Sequence, residues 1–484
     1  MVEEIVAFKE GKDALYSPAD DEFKDSLKVP SIKDDLIRLV YEKAYADYGN
    51  PLPQYVQDRL NKELDSIIDN GFSPVYYMAY LLVAKSNSDG YVVGSRGSVG
   101  SSFVATMMKI TEVNPLAPHY FCRKCHFTAF KFTEVEKEKY GLTKEQSELN
   151  SILQSVGSGY DLPDQVCPCC GNKLSKDGQD IPFETFLGFS GDKTPDIDLN
   201  FSGDYQPYAH EYIRTLMGPE NAFRAGTVTT VAENTAIGYV KGHLERKEIT
   251  KRNTEIIRIA KNLEGVRRST GQHPGGIVVV PSYKDIYDVT PIQYPADKTD
   301  NNWRTTHFDY HQFEANLLKL DILGHDDPTT LRYLFDYVEA HPEEFPFSTP
   351  QEIPVDDPLI YKMFNETEVL GLKPEDIGCE VATFAIPEFG TRFTRQMLID
   401  TKPKNFSDLV KISGLSHGTD VWANNCQNLV LGTTEFGKIP FSEVIGCRDD
   451  IMVYLIENGL QPKMAFDIME FVRKGKAAKH SDPE

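Results

Sequence analysis

The run Asn316-Leu-Leu-Lys-Leu-Asp-Ile-Leu-Gly324 constrains this chain more than any other segment. It is short, bounded and strongly apolar, as expected of a strand inside a sheet. Side chains alternate faces along a strand, so Leu318, Leu320 and Ile322 share one face while Lys319 and Asp321 share the other. Burying charge in such a run costs on the order of several kcal/mol unless it is compensated. The plain explanation is a structural Lys–Asp pair on an edge strand; the other is a site that uses the charge. Asp326 and Asp327 follow, but Asp327-Pro328 reads as a helix N-cap with proline at the first helical position, so neither is assigned to the site.

A second segment repeats the pattern. In Thr194-Pro-Asp-Ile-Asp-Leu-Asn-Phe201, Asp196 and Asp198 fall on one strand face, about 7 Å apart at Cα, with Ile197 and Leu199 opposite. Alone, this is a solvent-facing strand with alternating acids. On a buried sheet the two carboxylates repel and lose hydration, and divalent cations held by hard oxygens, magnesium above all, are the usual compensation.

A third segment, Tyr91-Val-Val-Gly-Ser-Arg-Gly-Ser-Val-Gly-Ser-Ser102, precedes the apolar FVATMMKI. It reads as a short strand, a Gly/Ser loop and a helix start, where free amides and Arg96 could meet phosphate. The G-K-[ST] ending of a Walker loop is missing. A flexible surface turn is the alternative. A phosphate loop, a D-x-D strand and a later strand with one Asp together describe a three-carboxylate, two-metal site. A two-metal nuclease needs similar acids, but no water-activating base stands beside them.

Cys122-x-x-Cys125 and Cys167-x-Cys169-Cys170-Gly171 form two knuckles separated by 41 residues, longer than the usual gap. Cys122, Cys125, Cys167 and Cys170 have the spacing of a closed, four-thiolate structural zinc site. Cys169, Cys379, Cys426 and Cys447 are expected to be free thiols, which suits a reducing compartment.

Net charge is −22, which argues against nucleic-acid binding when taken globally. Locally, residues 241–268 hold nine Lys/Arg against four Glu. No basic, apolar leader or membrane-length apolar run is found, so a cytoplasmic protein without membrane contact is expected. Further cationic candidates are Arg267, Arg268 and His273 beside Pro274-Gly-Gly276, Arg392 and Arg395 on one helical face, and Lys411, His417 and Arg448. Each taken singly is a solvated helix face or turn.

Periodicity predicts helices over 34–48 and 54–68, split by Gly-Asn-Pro-Leu-Pro at 49–53. It predicts a polar insertion over 119–180, strand-like segments over 181–230, helices over 231–268, strands over 269–325, and mostly helix beyond Asp327.

YVVGSRGSVGSSFVATM, the cysteine knuckles, IPFETFLGF, KTPDIDLNFSGDYQP, TGQHPGGIVVVP, PIQYPAD, WRTTHFD, LLKLDILGHDDPT, IPEFGTRFTRQML, ISGLSHGTDVW and VIGCRDDIMVYLI together closely resemble the PolC-type alpha subunit of bacterial DNA polymerase III, over roughly residues 30–475. The resemblance implies an α/β (α+β) fold: a polymerase-beta-like nucleotidyltransferase palm with a mixed sheet, a small helical thumb, a zinc-ribbon insertion and helical partial fingers. On this scheme 1–74 is an N-terminal helical region, 75–230 the first part of the palm with the insertion at 119–180, 231–268 the thumb, 269–330 the second part of the palm, and 331–484 partial fingers. Asp196, Asp198 and Asp321 would hold two catalytic magnesium ions. Ser95, Arg96, Ser98 and Lys319 would meet the incoming triphosphate, and Arg392, Arg395, Lys411, His417 and Arg448 the nucleotide or template. The implied activity is DNA-templated DNA synthesis on primer-template DNA with dNTPs. A sliding clamp and clamp loader would be partners of a full-length protein. Against that family the chain is expected to be a fragment, and an inactive zinc-containing binding module is the alternative.

Overall fold

The computed structural model describes residues 27, 29–188, 197–281, 283–294, 299, 302–313, 317–418 and 421–475. Asp196 lies outside the described residues. The strands among them are β1 (Gly94–Arg96), β2 (His119–Phe121), β3 (Thr128–Phe130), β4 (Ser175–Asp177), β5 (Asp198–Ser202), β6 (Ala222–Thr230), β7 (Arg267–Val279), β8 (Ile292–Gln293), β9 (Thr305–Asp309) and β10 (Leu318–His325). Two compact units divide the described residues: those within 27–35, 68–94 and 197–329 form one, and those within 36–67, 95–188 and 330–475 the other.

The first unit is mixed α/β. Its sheet strands run β5-β10-β7-β6-β9-β8. β10 is parallel to β5 and antiparallel to β7; β6 is antiparallel to β7 and parallel to β9. β10 is therefore interior rather than an edge. The alternation expected of it holds: Leu318, Leu320 and Ile322 are buried, and Lys319 and Asp321 take the opposite face. Buried Phe223, Ala225, Val278, Val280 and Leu317 pack into one cluster, and consecutive burial of Ile277, Val278 and Val279 marks a strand covered on both faces.

Three glycines allow the strands to come this close. A Cβ on Gly226 would stand 2.1 Å from the Thr306 carbonyl oxygen, one on Gly275 2.7 Å from the Ile322 carbonyl oxygen, and one on Gly276 3.1 Å from the Ala225 Cβ.

Between β6 and β7 the helices Glu233–Arg246 and Asn253–Ala260 close on their own core of Ala236, Val240, Leu244, Ile256 and Ala260. The helix Gln206–Met217 falls where only strand-like segments are expected. Its Ala209, Ile213 and Met217 recur at four-residue spacing and are buried, the helical signal that the flanking turn residues obscure. The helix Asp326–Ala340 takes Asp326 and Asp327 into its first turn, so Asp327 is not its N-cap. The boundary moves because the helix begins directly where β10 ends.

The second unit contains a three-stranded sheet, β3-β2-β4, that carries the cysteine knuckles, and a helical part beyond residue 330. The latter is built on Phe364, Val381, Met397, Leu398, Ile412, Leu415 and Trp422. No helix among the described residues is long and apolar enough to cross a membrane.

Candidate active site

β5 and β10 place two aspartates side by side. Asp321 and Asp198 are register partners on adjacent parallel strands, so their side chains leave the same face of the sheet about 4.8 Å apart at Cα. Leu199 and Ile322, also register partners, are buried on the other face. Asp321 is only 7% exposed. Its Oδ2 accepts a 2.7 Å ion pair from Lys319 Nζ, and the ammonium lies 4.9 Å over the Tyr310 ring.

Asp321 Oδ1 is buried and has no hydrogen bond. The nearest ring nitrogen, His273 Nδ1 at 3.7 Å, offers it no proton. That nitrogen accepts from the amides of Gly275 (3.2 Å) and Gly276 (2.6 Å). A carboxylate oxygen held in this way, beside a second carboxylate, suits a hard divalent cation.

Asn200 stands two residues after Asp198 on the same strand face, and its Oδ1 is likewise buried without a hydrogen bond. Period-two alternation carries the signal for Asn200, which is not an acid but shares the face of Asp198. His273 figures in the sequence as a phosphate cation; here its imidazole braces the turn beside Asp321. Behind that turn Arg224 donates to the carbonyls of His273 (3.3 Å) and Pro274 (3.1 Å) and contacts buried His210. Burial, with Arg224 adjoining, pulls the His210 imidazole down to about 4. The imidazole is thus neutral at pH 7 against the Ile322 carbonyl, 3.3 Å away.

Ser95, Arg96 and Ser98 belong to the second unit. β1 leads into a 3₁₀ turn, Gly97–Ser101, and then the helix Phe103–Met107. Arg96 and Gly97 are exposed, and Gly97 has φ +71°. Ser95 Oγ shares a 2.7 Å hydrogen bond with Thr111 Oγ1. The amides at the helix start are not free for phosphate: Phe103 and Val104 donate to the Glu63 carboxylate, at 3.0 and 2.9 Å.

The cysteines meet as their spacing requires. Cys122, Cys125, Cys167 and Cys170 bring their sulfurs within 4.8 Å of one another. The pairs Cys122–Cys170 and Cys125–Cys167 are each 3.5 Å apart, close to the edge of a tetrahedron of thiolates at about 2.3 Å from a metal. The knuckles share one backbone scheme. The first cysteine's amide donates to the carbonyl five residues on (Phe127, Asn172), and its carbonyl accepts from the amide four residues on (His126, Gly171). His126 and Gly171 both take positive φ, +58° and +75°. Burial pushes the Cys122 thiol up, but the amides of Cys125 and Lys124 and the neighbouring thiols outweigh it and hold it at about 6. Cys169 is exposed and outside the cluster.

Comparison with known proteins gives this geometry its context. Residues 34–250 and 240–324 match the bacterial DNA polymerase III alpha NTPase domain. Residues 327–484 match the bacterial DNA polymerase III alpha subunit finger domain. The chain belongs to the bacterial DNA polymerase III alpha family. It is 57% identical over 459 residues to the DNA polymerase III PolC-type of Oceanobacillus iheyensis, covering 94% of this chain. It is 54% identical over 465 residues to that of Bacillus subtilis (strain 168) and 55% over 465 residues to that of Staphylococcus aureus (strain MW2), each covering 96%. The chain spans 30% of the length of these relatives.

The finger-domain segment of this polymerase III alpha chain holds the remaining cationic candidates. Arg392 opens the helix Arg392–Thr401, capped by Thr391, and is exposed. One turn on, the Arg395 guanidinium lies 3.8 Å over the Phe384 ring, with Nε buried and unbonded. Lys411 Nζ donates to the Ser442 and Val444 carbonyls, so its ammonium ties two segments together. His417 Nδ1 contacts the Ser413 carbonyl at 2.7 Å, and Arg448 opens the helix Arg448–Glu457, 3.9 Å from Asp449.

Proposed function

We propose that this chain carries the nucleotidyl-transfer centre of a DNA-templated DNA polymerase. The observation that carries the reading is the register match of Asp198 and Asp321, with one buried carboxylate oxygen left without a hydrogen bond, in a chain of the polymerase III alpha family. Asp196, Asp198 and Asp321 would hold two magnesium ions. Bound there, the ions would make a primer 3′-hydroxyl more acidic and offset the charge of the leaving pyrophosphate. Lys319 pairs with Asp321 and aims it, and Arg224 and His273 fix the neighbouring turn. Ser95, Arg96 and Ser98 would contact the dNTP triphosphate. Arg392, Arg395, Lys411, His417 and Arg448 would serve nucleotide or template, with Lys411 acting through the carbonyls it joins.

On this reading 75–230 and 269–330 form a polymerase-beta-like palm, 231–268 a thumb on the duplex backbone, and 331–484 partial fingers. The four cysteines would hold one structural zinc ion as a zinc ribbon. Primer-template DNA and dNTPs are the substrates, and a sliding clamp and clamp loader would serve the longer protein. Primer extension with magnesium or manganese tests this, comparing the chain with an Asp196→Asn, Asp198→Asn double variant. Incorporation that the double variant lacks is the expected result. Equal incorporation by both would refute the assignment, and primer-template binding without incorporation by either would favour a binding module.

A further inference from the structure

An acid from a separate helix fills the helix start after the Gly/Ser loop. Val56, Leu60, Glu63 and Ile67 recur at helical spacing along the buried face of Gln54–Asp69. Glu63 is therefore a carboxylate at a core position, 0% exposed. Such a charge persists only if it is paired and fully hydrogen-bonded.

Both conditions are met. Arg59, one turn earlier, pairs with Glu63 Oε1. Phe103 N donates to the same oxygen, while Ser102 Oγ and Val104 N each donate to Oε2 at 2.9 Å. The next amide, Ala105 N, is taken by Ser102 Oγ at 3.2 Å. Arg59 Nη2 reaches further, donating to the carbonyls of Ser101 (2.8 Å) and Ile181 (3.1 Å). Ser101 Oγ in turn donates to the Ser98 carbonyl at 2.6 Å. A continuous set of hydrogen bonds thus runs from the helix Gln54–Asp69 to the loop. The Glu63 side chain also takes up the Phe103 and Val104 amides at the start of the short helix.

We propose that Glu63 and Arg59 are positioning residues for the triphosphate loop: together they fix Ser98–Ser102 and occupy the helix start, so that the triphosphate is received by the Ser95–Ser98 segment, whose Arg96 and Gly97 are exposed. This rests on the reading of Ser95, Arg96 and Ser98 as triphosphate contacts.

The test uses the 484-residue chain with a dideoxy-terminated primer-template, magnesium and the complementary dNTP. Dissociation constants for dNTP and for DNA are measured together with bound zinc, for the parent, Arg96→Ala, Glu63→Gln and Arg59→Lys. The expected result is a rise of about tenfold in the dNTP constant for all three variants, with DNA affinity and zinc unchanged. If Arg96→Ala weakens dNTP binding but Glu63→Gln and Arg59→Lys do not, the positioning role is overturned and the loop assignment survives. If Arg96→Ala has no effect, the loop assignment fails and the inference goes with it. Equal weakening of dNTP and DNA in the Glu63 and Arg59 variants would mean general structural support and would also overturn it. Should Glu63→Gln not fold, Arg59→Lys decides, because it keeps the charge beside Glu63 while losing the fork to Ser101 and Ile181.

Discussion

Replacing Lys319 by Met removes the ammonium, and with it the contact over the Tyr310 ring, while leaving an unbranched apolar side chain in its place. Asp321 is 7% exposed, and Lys319 holds the one oxygen of it that is satisfied. The variant therefore leaves a buried carboxylate with neither oxygen paired. Breaking a buried pair in this way costs about 3 kcal/mol or more. At about 2–4 °C per kcal/mol, the melting temperature of the unit should fall by roughly 6–12 °C. A divalent cation at the same carboxylate should restore much of this. At a concentration about a hundred times its dissociation constant, a ligand stabilises by about 2.7 kcal/mol. Scanning calorimetry of the parent, Lys319→Met and Asp321→Asn across a magnesium or manganese titration separates the contributions. The Met variant should start lowest and gain most, because its site carries one more uncompensated negative charge. The Asn variant should gain least. A cation response in Asp321→Asn equal to that in Lys319→Met would refute the reasoning, as would a loss below about 1 kcal/mol in Lys319→Met, the range of an exposed pair.

Metal removal should act on a different region. A strong chelator, or Cys167→Ser, should release one zinc ion per chain and abolish amide protection around Leu149, Leu153 and Leu174, which pack on Cys122 and Cys167; retained protection would contradict a structural site. His119 is buried, donates from Nδ1 to the Ala117 carbonyl and meets Tyr48 at Nε2 (2.8 and 3.0 Å), and burial lowers it from 6.5 to about 4. The unfolded chain then binds the extra proton, so this contribution is complete above pH 6.5 and is lost as pH falls toward 4. Asp177, raised by burial to about 6, works in the opposite sense over part of that range. Denaturant melts of His119→Gln should accordingly show a slope of stability against pH, between pH 4.5 and 6, that is more negative than the parent's by up to about 1.4 kcal/mol per pH unit. Gly226→Ala should destabilise by about 3 kcal/mol, because its Cβ would stand 2.1 Å from the Thr306 oxygen; urea midpoints check this.

The sequence by itself determined the elements whose signals are local. Alternation separated Asp321 and Lys319 from Leu320 and Ile322, helical spacing placed the helices near 34–48 and 54–68, and cysteine spacing picked the four clustered thiols from eight. It could not reveal the helix Gln206–Met217, whose buried stripe is thin and flanked by turn formers. Nor could it show which oxygen of a carboxylate would lack a partner, that His273 would turn its nitrogen to backbone amides, or that Glu63 would fill a helix start forty residues away in sequence. Periodicity fixes the face a side chain leaves from, because that depends on backbone geometry alone. What the side chain meets depends on strand register and on which distant segment packs there, and only the tertiary structure decides that.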